Sequence, residues 1–151
     1  MRELILRSPA TQKHLTKVKS NLAKIRRLKE QAFFLIFQAQ FRPVEDDDIA
    51  IYSENVEEVG DYAKELFAGV LDKESELDEI ISQYSNGWKL SRIPKVNISI
   101  LRLAVYEMKY IESVPNSVAI NEAVELAKKY SGKEDASFIN GILGAYSRSN
   151  G

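Results

Sequence analysis

Between residues 15 and 36 apolar side chains recur at intervals of three and four: Leu15, Val18, Leu22, Ile25, Leu28, Ala32, Leu35 and Ile36. That spacing follows the turn of an α-helix and lays one apolar stripe along it, so this segment can only be stable with that stripe covered by other elements. Phe33, Phe34, Phe37 and Phe41 widen the stripe, which predicts a later half buried on most sides. Pro43 stops it. Ser8-Pro9 stand where an N-cap and a first-turn residue would; residues 9–20 either continue this helix or form a loose extension before it.

The same period governs the rest of the chain. Asp46-Asp47-Asp48 suit the first turn of a second helix, where carboxylates meet the positive end of the dipole. Val56, Val59, Tyr62, Ala63, Leu66, Phe67 and Val70 then give another helical stripe. Ser75-Glu-Leu-Asp78 reads as a capping box with Asp in place of Glu or Gln, ahead of Leu77, Ile80, Ile81 and Tyr84. Asn86-Gly87 breaks that helix. Residues 93–106 are ambiguous, because Ile98 and Ile100 alternate like a strand. Over the longer window Ile100, Leu103, Ala104, Met108 and Ile111 fit a helix, and one this apolar around its circumference belongs in the middle of a bundle. Past Pro115 come the stripe Val118, Ala119, Ala123, Leu126, Ala127, Tyr130 and a last helix with Asp135 as N-cap and Phe138, Ile139, Ile142, Leu143 and Tyr146 as its face. Six or seven helices with short connections predict an all-α helical bundle.

Charge is distributed unevenly. The net charge of the whole chain is −1, yet residues 1–29 hold nine Lys or Arg against the single acid Glu3. The remaining residues carry 12 basic and 21 acidic side chains. Such a basic segment on an acidic body points to a polyanionic partner, against the plainer reading of a solvated tail. With 44% hydrophobic residues the 151-residue chain has enough apolar mass for one domain. There is no cysteine, which excludes disulfides and sulfur-based metal sites and fits the cytoplasm. No stretch approaches the length of a membrane span, and the short run Leu4-Ile5-Leu6 is too brief for a signal peptide.

Little supports catalysis. His14, the one histidine, sits among lysines and reads as a solvated residue. The glycines form no phosphate loop, and the acidic run has no partner spacing for a cation. Neither a cofactor nor a metal is expected. Trp88, after a turn and ahead of Leu90 and Ile93, reads as a core anchor rather than a stacking platform. The better site is basic. Lys13, Lys17 and Lys24 share a helix face, and Lys24, Arg26, Arg27 and Lys29 crowd the next turn, the arrangement that gains from neutralising several phosphates.

A series of ordered blocks carries a family likeness. Arg26-Arg-Leu-Lys-Glu-Gln-Ala-Phe33, with Leu35 and Phe37-Gln38, is followed by Phe67-Ala-Gly-Val70, Glu76-Leu-Asp78 and Trp88-Lys-Leu-Ser-Arg-Ile93. Then come Ile100-Leu-Arg-Leu-Ala-Val-Tyr-Glu107, Pro115, Val118 through Lys128, and Phe138-Ile-Asn-Gly141. Together, over about residues 24–147, they resemble the NusB family of transcription antitermination factors. The resemblance implies a double three-helix bundle over residues 21–149, preceded by a basic N-terminal extension over residues 1–20. It also implies a non-enzymatic factor that binds boxA-type single-stranded RNA together with ribosomal protein S10 (NusE). That pair joins an RNA polymerase antitermination complex on ribosomal RNA operons. Position by position, Arg26, Arg27 and Lys29, with Lys24 beside them, match the arginine-rich RNA-binding helix. Phe37 stands where an aromatic lies near RNA, and Phe138 and Asn140 match the turn-and-helix on the RNA side.

The plainer readings make Phe37 and Phe138 core residues and give Asn140, Asn121 and Glu122 capping-type bonds at helix starts. Where the family has an Asp-Arg pair, Asn97-Ile98 stand here, which predicts a neutral cap and an apolar contact in place of an ion pair. Two other functions compete: a protein-interaction paralogue that keeps the fold without boxA binding, and the RNA-binding domain of a ribosomal RNA cytosine methyltransferase, against which the lack of a cofactor loop counts. The aromatic surface of the first helix offers a route to a homodimer.

Overall fold

A computed structural model of the chain describes residues 26–49 and 60–150. The expectations for Ser8-Pro9, for the stripe from Leu15 to Ile25, for the extension over residues 1–20 and for Val56 and Val59 fall outside them. Among the described residues there are seven helices and no strand. They are α1 (residues 26–39), α2 (residues 46–49), α3 (Asp61–Asp72), α4 (Glu74–Tyr84), α5 (Lys95–Tyr110), α6 (Asn116–Tyr130) and α7 (Lys133–Asn150). No helix among these residues is long and apolar enough to cross a membrane.

Helix α1 buries Ala32, Phe33, Leu35 and Ile36, four members of the expected stripe and its aromatic widening. The acidic run does open α2. Asp48 accepts the backbone N–H of Glu45 at 2.9 Å and the guanidinium fork of Arg42 at 2.8 and 3.0 Å. Helix α3 buries Ala63, Leu66, Phe67 and Val70, the i, i+3, i+4, i+7 pattern of one face. A single residue, Lys73, joins it to α4, and here the expected capping box is not formed. The helix begins a residue earlier, at Glu74, so Ser75 already lies inside it. Asp78 instead takes Arg102 of α5 in a two-pronged pair, Nε to Oδ1 at 2.8 Å and Nη2 to Oδ2 at 3.0 Å.

The ambiguous stretch is resolved as helix. Residues 95–110 form α5, with Ile98, Ile100, Leu101, Leu103, Ala104 and Val105 all buried. It touches α3, α4, α6 and α7, and the turn after α1 reaches it through Gln40, whose amide donates to the Lys95 carbonyl at 2.8 Å. So α5 is the wall common to the two bundles. Helix α6 presents Ala119, Ala123 and Ala127, a row of small residues four apart that lets α7 approach closely, while Val118, assigned to its apolar face by sequence, is exposed. Asp135 is not the N-cap of α7; the helix starts two residues earlier, and Asp135 lies in its first turn.

One glycine is required by packing. The Tyr106 ring of α5 lies against Gly69 of α3 so closely that a Cβ there would overlap it. Helix propensity alone favours alanine by about 1 kcal/mol. Because Tyr106 fills that space, Gly69→Ala is expected instead to destabilise the fold by about 1–3 kcal/mol in urea titration. An unchanged or raised midpoint would show that the Tyr106 ring moves aside freely.

Candidate nucleic-acid interface

The basic opening of α1 divides into residues that face water and one that does not. Arg26 has a side chain 59% exposed, and its Nε donates to Glu122 Oε1 of α6 at 3.3 Å. Arg27 is exposed. Lys29, counted with them from sequence, is buried: its Nζ lies 3.4 Å from Glu107 Oε2 of α5, and both side chains are 3% exposed. No phosphate can reach it in this fold, so Lys29 leaves the set of RNA-facing candidates. The physical reason is position, since Lys29 shares the inward face with Ala32, Phe33 and Ile36. Lys24 lies outside the described residues.

A cleft of about 400 Å³ runs between α1 and α6, lined by Arg26, Glu122, Glu125, Lys128 and Lys129 among others. Its cations are interleaved with carboxylates. Lys129 donates to Glu30 at 3.0 Å, the Tyr130 hydroxyl donates to the same carboxylate, and Lys128 sits 3.6 Å from Glu125. Glu122 is therefore not a helix-entry cap as expected from sequence; it is the counter-ion of Arg26. Asn121 is exposed and caps nothing either, because α6 starts at Asn116 after Pro115.

Lys128 also borders a second groove of about 540 Å³, between α6 and α7, together with Asn121, Lys133, Ser137 and Asn140. Asn140 is exposed inside α7, not a bond-maker at a helix start. The two hollows thus adjoin at Lys128, and the fold brings Arg26 and Asn140 to one strip of surface. Lining groups there include ammonium, guanidinium, amide and hydroxyl donors, which can hold phosphate oxygens and base edges, interleaved with the carboxylates of Glu30, Glu122 and Glu125.

The aromatics go elsewhere. Phe37 is half-buried between Phe33 and Phe41, with ring centroids 6.2 and 5.1 Å away, and Phe41 is the exposed member, with Lys95 Nζ 5.3 Å above its ring. Phe138, two residues before Asn140, points into a different hollow, bounded by Trp88, Arg92, Pro94 and Asn97. Its ring meets that of Trp88 at a centroid distance of 6.1 Å and an angle of 68°. Trp88 is 57% exposed and is no core anchor. The sequence signal for this was the Asn86-Gly87 turn just before it, which lifts the indole off the bundle.

Beneath Phe138 the Asn97 side chain is fully buried. Its Nδ2 donates to Asp135 Oδ1 at 3.0 Å. Ser131 Oγ lies 2.5 Å from Asp135 Oδ2 and 3.0 Å from Asn97 Oδ1, so its single proton goes to the carboxylate. Asn97 is thus no cap; it ties α5 to the α6–α7 turn, while Ile98 makes the apolar contact expected of it. The Ser131 hydroxyl and then the Asn97 amide hold the Asp135 carboxyl below the ordinary aspartate range, against the opposing effect of burial. Among the described residues no three metal-binding side chains come together.

Residues 26–148 match the NusB family. A transcription antitermination protein NusB of Acetivibrio thermocellus is 57% identical over 84 residues, which is 56% of this chain and 58% of that relative. The chain thus spans under two thirds of the length of that relative. One from Lachnoclostridium phytofermentans is 40% identical over 124 residues, 78% of this chain and 94% of the relative. Among solved structures, NusB of T. maritima superposes with a TM-score of 0.69 at 35% identity, covering 82% of this chain and 89% of that one. A structure of antitermination factors NusB and NusE in complex with double-stranded RNA shares the fold, with a TM-score of 0.70 at 22% identity over 82% and 96% of the two chains.

Asp135 gives this region a pH signature. A carboxyl held low in the fold stabilises it above its unfolded pKa of about 4, and the contribution is lost as pH falls through the lower folded value. Asp135→Asn should cost about 1 kcal/mol near neutral pH. It should also flatten the loss of stability below about pH 4 in urea titrations. Parallel acid limbs for the two chains would mean that the bonds from Ser131 and Asn97 do not favour the ionised form.

Proposed function

The chain belongs to the NusB family, and from that premise we propose that it is a cytoplasmic transcription antitermination factor. It binds boxA-type single-stranded RNA together with ribosomal protein S10 and acts with RNA polymerase on ribosomal RNA operons. The observation that carries the RNA-binding part is the exposure of Arg26 and Arg27 at the described start of α1, continuous in sequence with six further cations in residues 1–24. Phosphates attract such a cluster, and each contact releases counterions. Arg27 and Lys24 are proposed as direct contacts, and Lys128 and Asn140 lie on the strip that continues from Arg26. Phe138 is proposed to stack on a base. The partner assignment is supported by the NusB–NusE complex named above and by the antitermination names of the relatives, which are regulatory rather than enzymatic.

One observation favours a second reading, a protein-interaction paralogue without boxA binding. Arg26 already has a carboxylate partner, and Lys29 is withdrawn into the core, so the cluster is thinner than its sequence implies. The ion pair of Arg26 is solvent-exposed, however, and such pairs are worth no more than about 1 kcal/mol, less than a phosphate contact offers. RNA therefore wins the guanidinium.

Titration of a labelled boxA-type RNA, with and without S10 and at two salt concentrations, separates the readings. Tightening by S10 and weakening by salt are expected. Replacing Arg26 and Arg27 by Ala should weaken binding about 10- to 100-fold and lower the salt slope by about 0.7 per arginine. A folded wild-type chain that captures S10 and ignores the RNA would establish the paralogue instead.

A further inference from the structure

The exposed indole of Trp88 is held too firmly to be an accident of the surface. Asn86 and Gly87 turn the chain with φ of 51° and 82°. On the near side Ser85, buried, donates from Oγ to the Trp88 carbonyl at 2.8 Å, and the Trp88 N–H returns to the Ser85 carbonyl at 3.1 Å. On the far side Leu90 packs against the core and Ile93 is buried in it. The backbone is thus anchored on both flanks of a ring that points outward. Its one ring partner, Phe138, meets it near the perpendicular, an edge-on contact that fixes the indole without covering it. A large aromatic surface left in water on a rigid support is the form a stacking platform takes.

Charge says what it stacks. The shallow hollow on one side of the ring is lined by Asn86, Gly87, Lys89 and Arg92, two cations and no carboxylate. A stable protein partner would bury about 800 Å² of this surface around an apolar centre. Around Trp88 the apolar surface amounts to Phe138 and Pro94, and the hollow on the Phe138 side of the ring also holds Glu134 and Asp135, so the uncompensated cations lie on the Lys89 side. An isolated ring with two cations along one side matches a base whose flanking phosphates run past Lys89 and Arg92.

We propose that Trp88 is the stacking platform for one nucleobase of a bound single-stranded RNA, with Lys89 and Arg92 holding the adjoining phosphates. This rests on the RNA-binding reading above and extends it to three residues outside the arginine helix. Phe138 orients the indole through its edge-on contact and stacks the neighbouring base, so that the RNA passes from the α1 cations across to the turn before α5.

Trp88 is the only tryptophan of the chain, so its own emission reports on the site. Saturating the full chain with a single-stranded RNA of about 12 nucleotides should quench that emission. Trp88→Ala, shown still helical by circular dichroism, should weaken RNA binding about 5- to 100-fold by anisotropy, the loss of one base stack. Trp88→Phe should restore most of it. Lys89→Ala and Arg92→Ala should each lower the salt slope by about 0.7. Bound RNA with unchanged emission and a Trp88→Ala affinity within twofold of wild type would overturn the proposal. So would a Trp88→Ala chain that keeps its RNA affinity and loses S10, which would make the site a protein-docking point. A wild-type chain that binds no RNA at all would bring down the functional reading and this inference together.

Discussion

The structure depends on a charge placed where charges are costly. Lys29 and Glu107 face one another in the interior at 3.4 Å, and neither Lys29 Nζ nor Glu107 Oε2 has a hydrogen-bond partner among the described residues. Burial pushes the Glu107 carboxyl above its ordinary value, and the Lys29 ammonium pulls it back. Neither charge is tolerable there alone, since removing one member of such a pair costs about 3–5 kcal/mol. The pair therefore fixes the rotation of α1 on α5. With Lys29 turned inward, Ala32, Phe33 and Ile36 follow it into the core, and Arg26 and Arg27 are left on the rim beside α6. The exposure of Arg26 and Arg27 is a consequence of where their neighbour is buried.

Much of the fold was legible because helical period is a local signal. The stripes of α3 and α5 and the break at Asn86-Gly87 are all read from residues a few positions apart. What the sequence hid is every feature whose partner is remote. A lysine within a basic cluster reads as solvated, and Glu107 lies too far along the chain to suggest otherwise. Asp78 resembled a capping residue until Arg102 claimed it, and Asp135 resembled an N-cap until Ser131 and Asn97 did. Trp88 misled for a different reason: hydrophobicity predicts burial on average, and an exposed tryptophan held by a buried serine departs from that average.

The candidate site was legible in its charge and illegible in its division. Sequence grouped Phe138 with Asn140, yet two residues on a helix point to different sides, and these two line separate hollows. The interleaving of Arg26, Lys128 and Lys129 with Glu122, Glu125 and Glu30 was equally invisible, because it joins α1 to α6 across the fold. In the free protein these carboxylates keep long cations in place. On the proposed reading, a phosphate backbone offers the same cations several contacts at once and takes the place of these carboxylates.

On the proposed reading one helix divides its cations, with Lys29 serving the fold and Arg26 and Arg27 serving RNA. The direct test is the salt dependence of RNA affinity for a chain carrying Lys29→Met and Glu107→Leu together, which exchanges the buried pair for apolar residues of similar volume and should remain folded. A slope equal to that of the wild type is predicted, because Lys29 touches no phosphate. A slope lower by about 0.7, the worth of one contact to a single strand, would put Lys29 on the RNA and contradict the account.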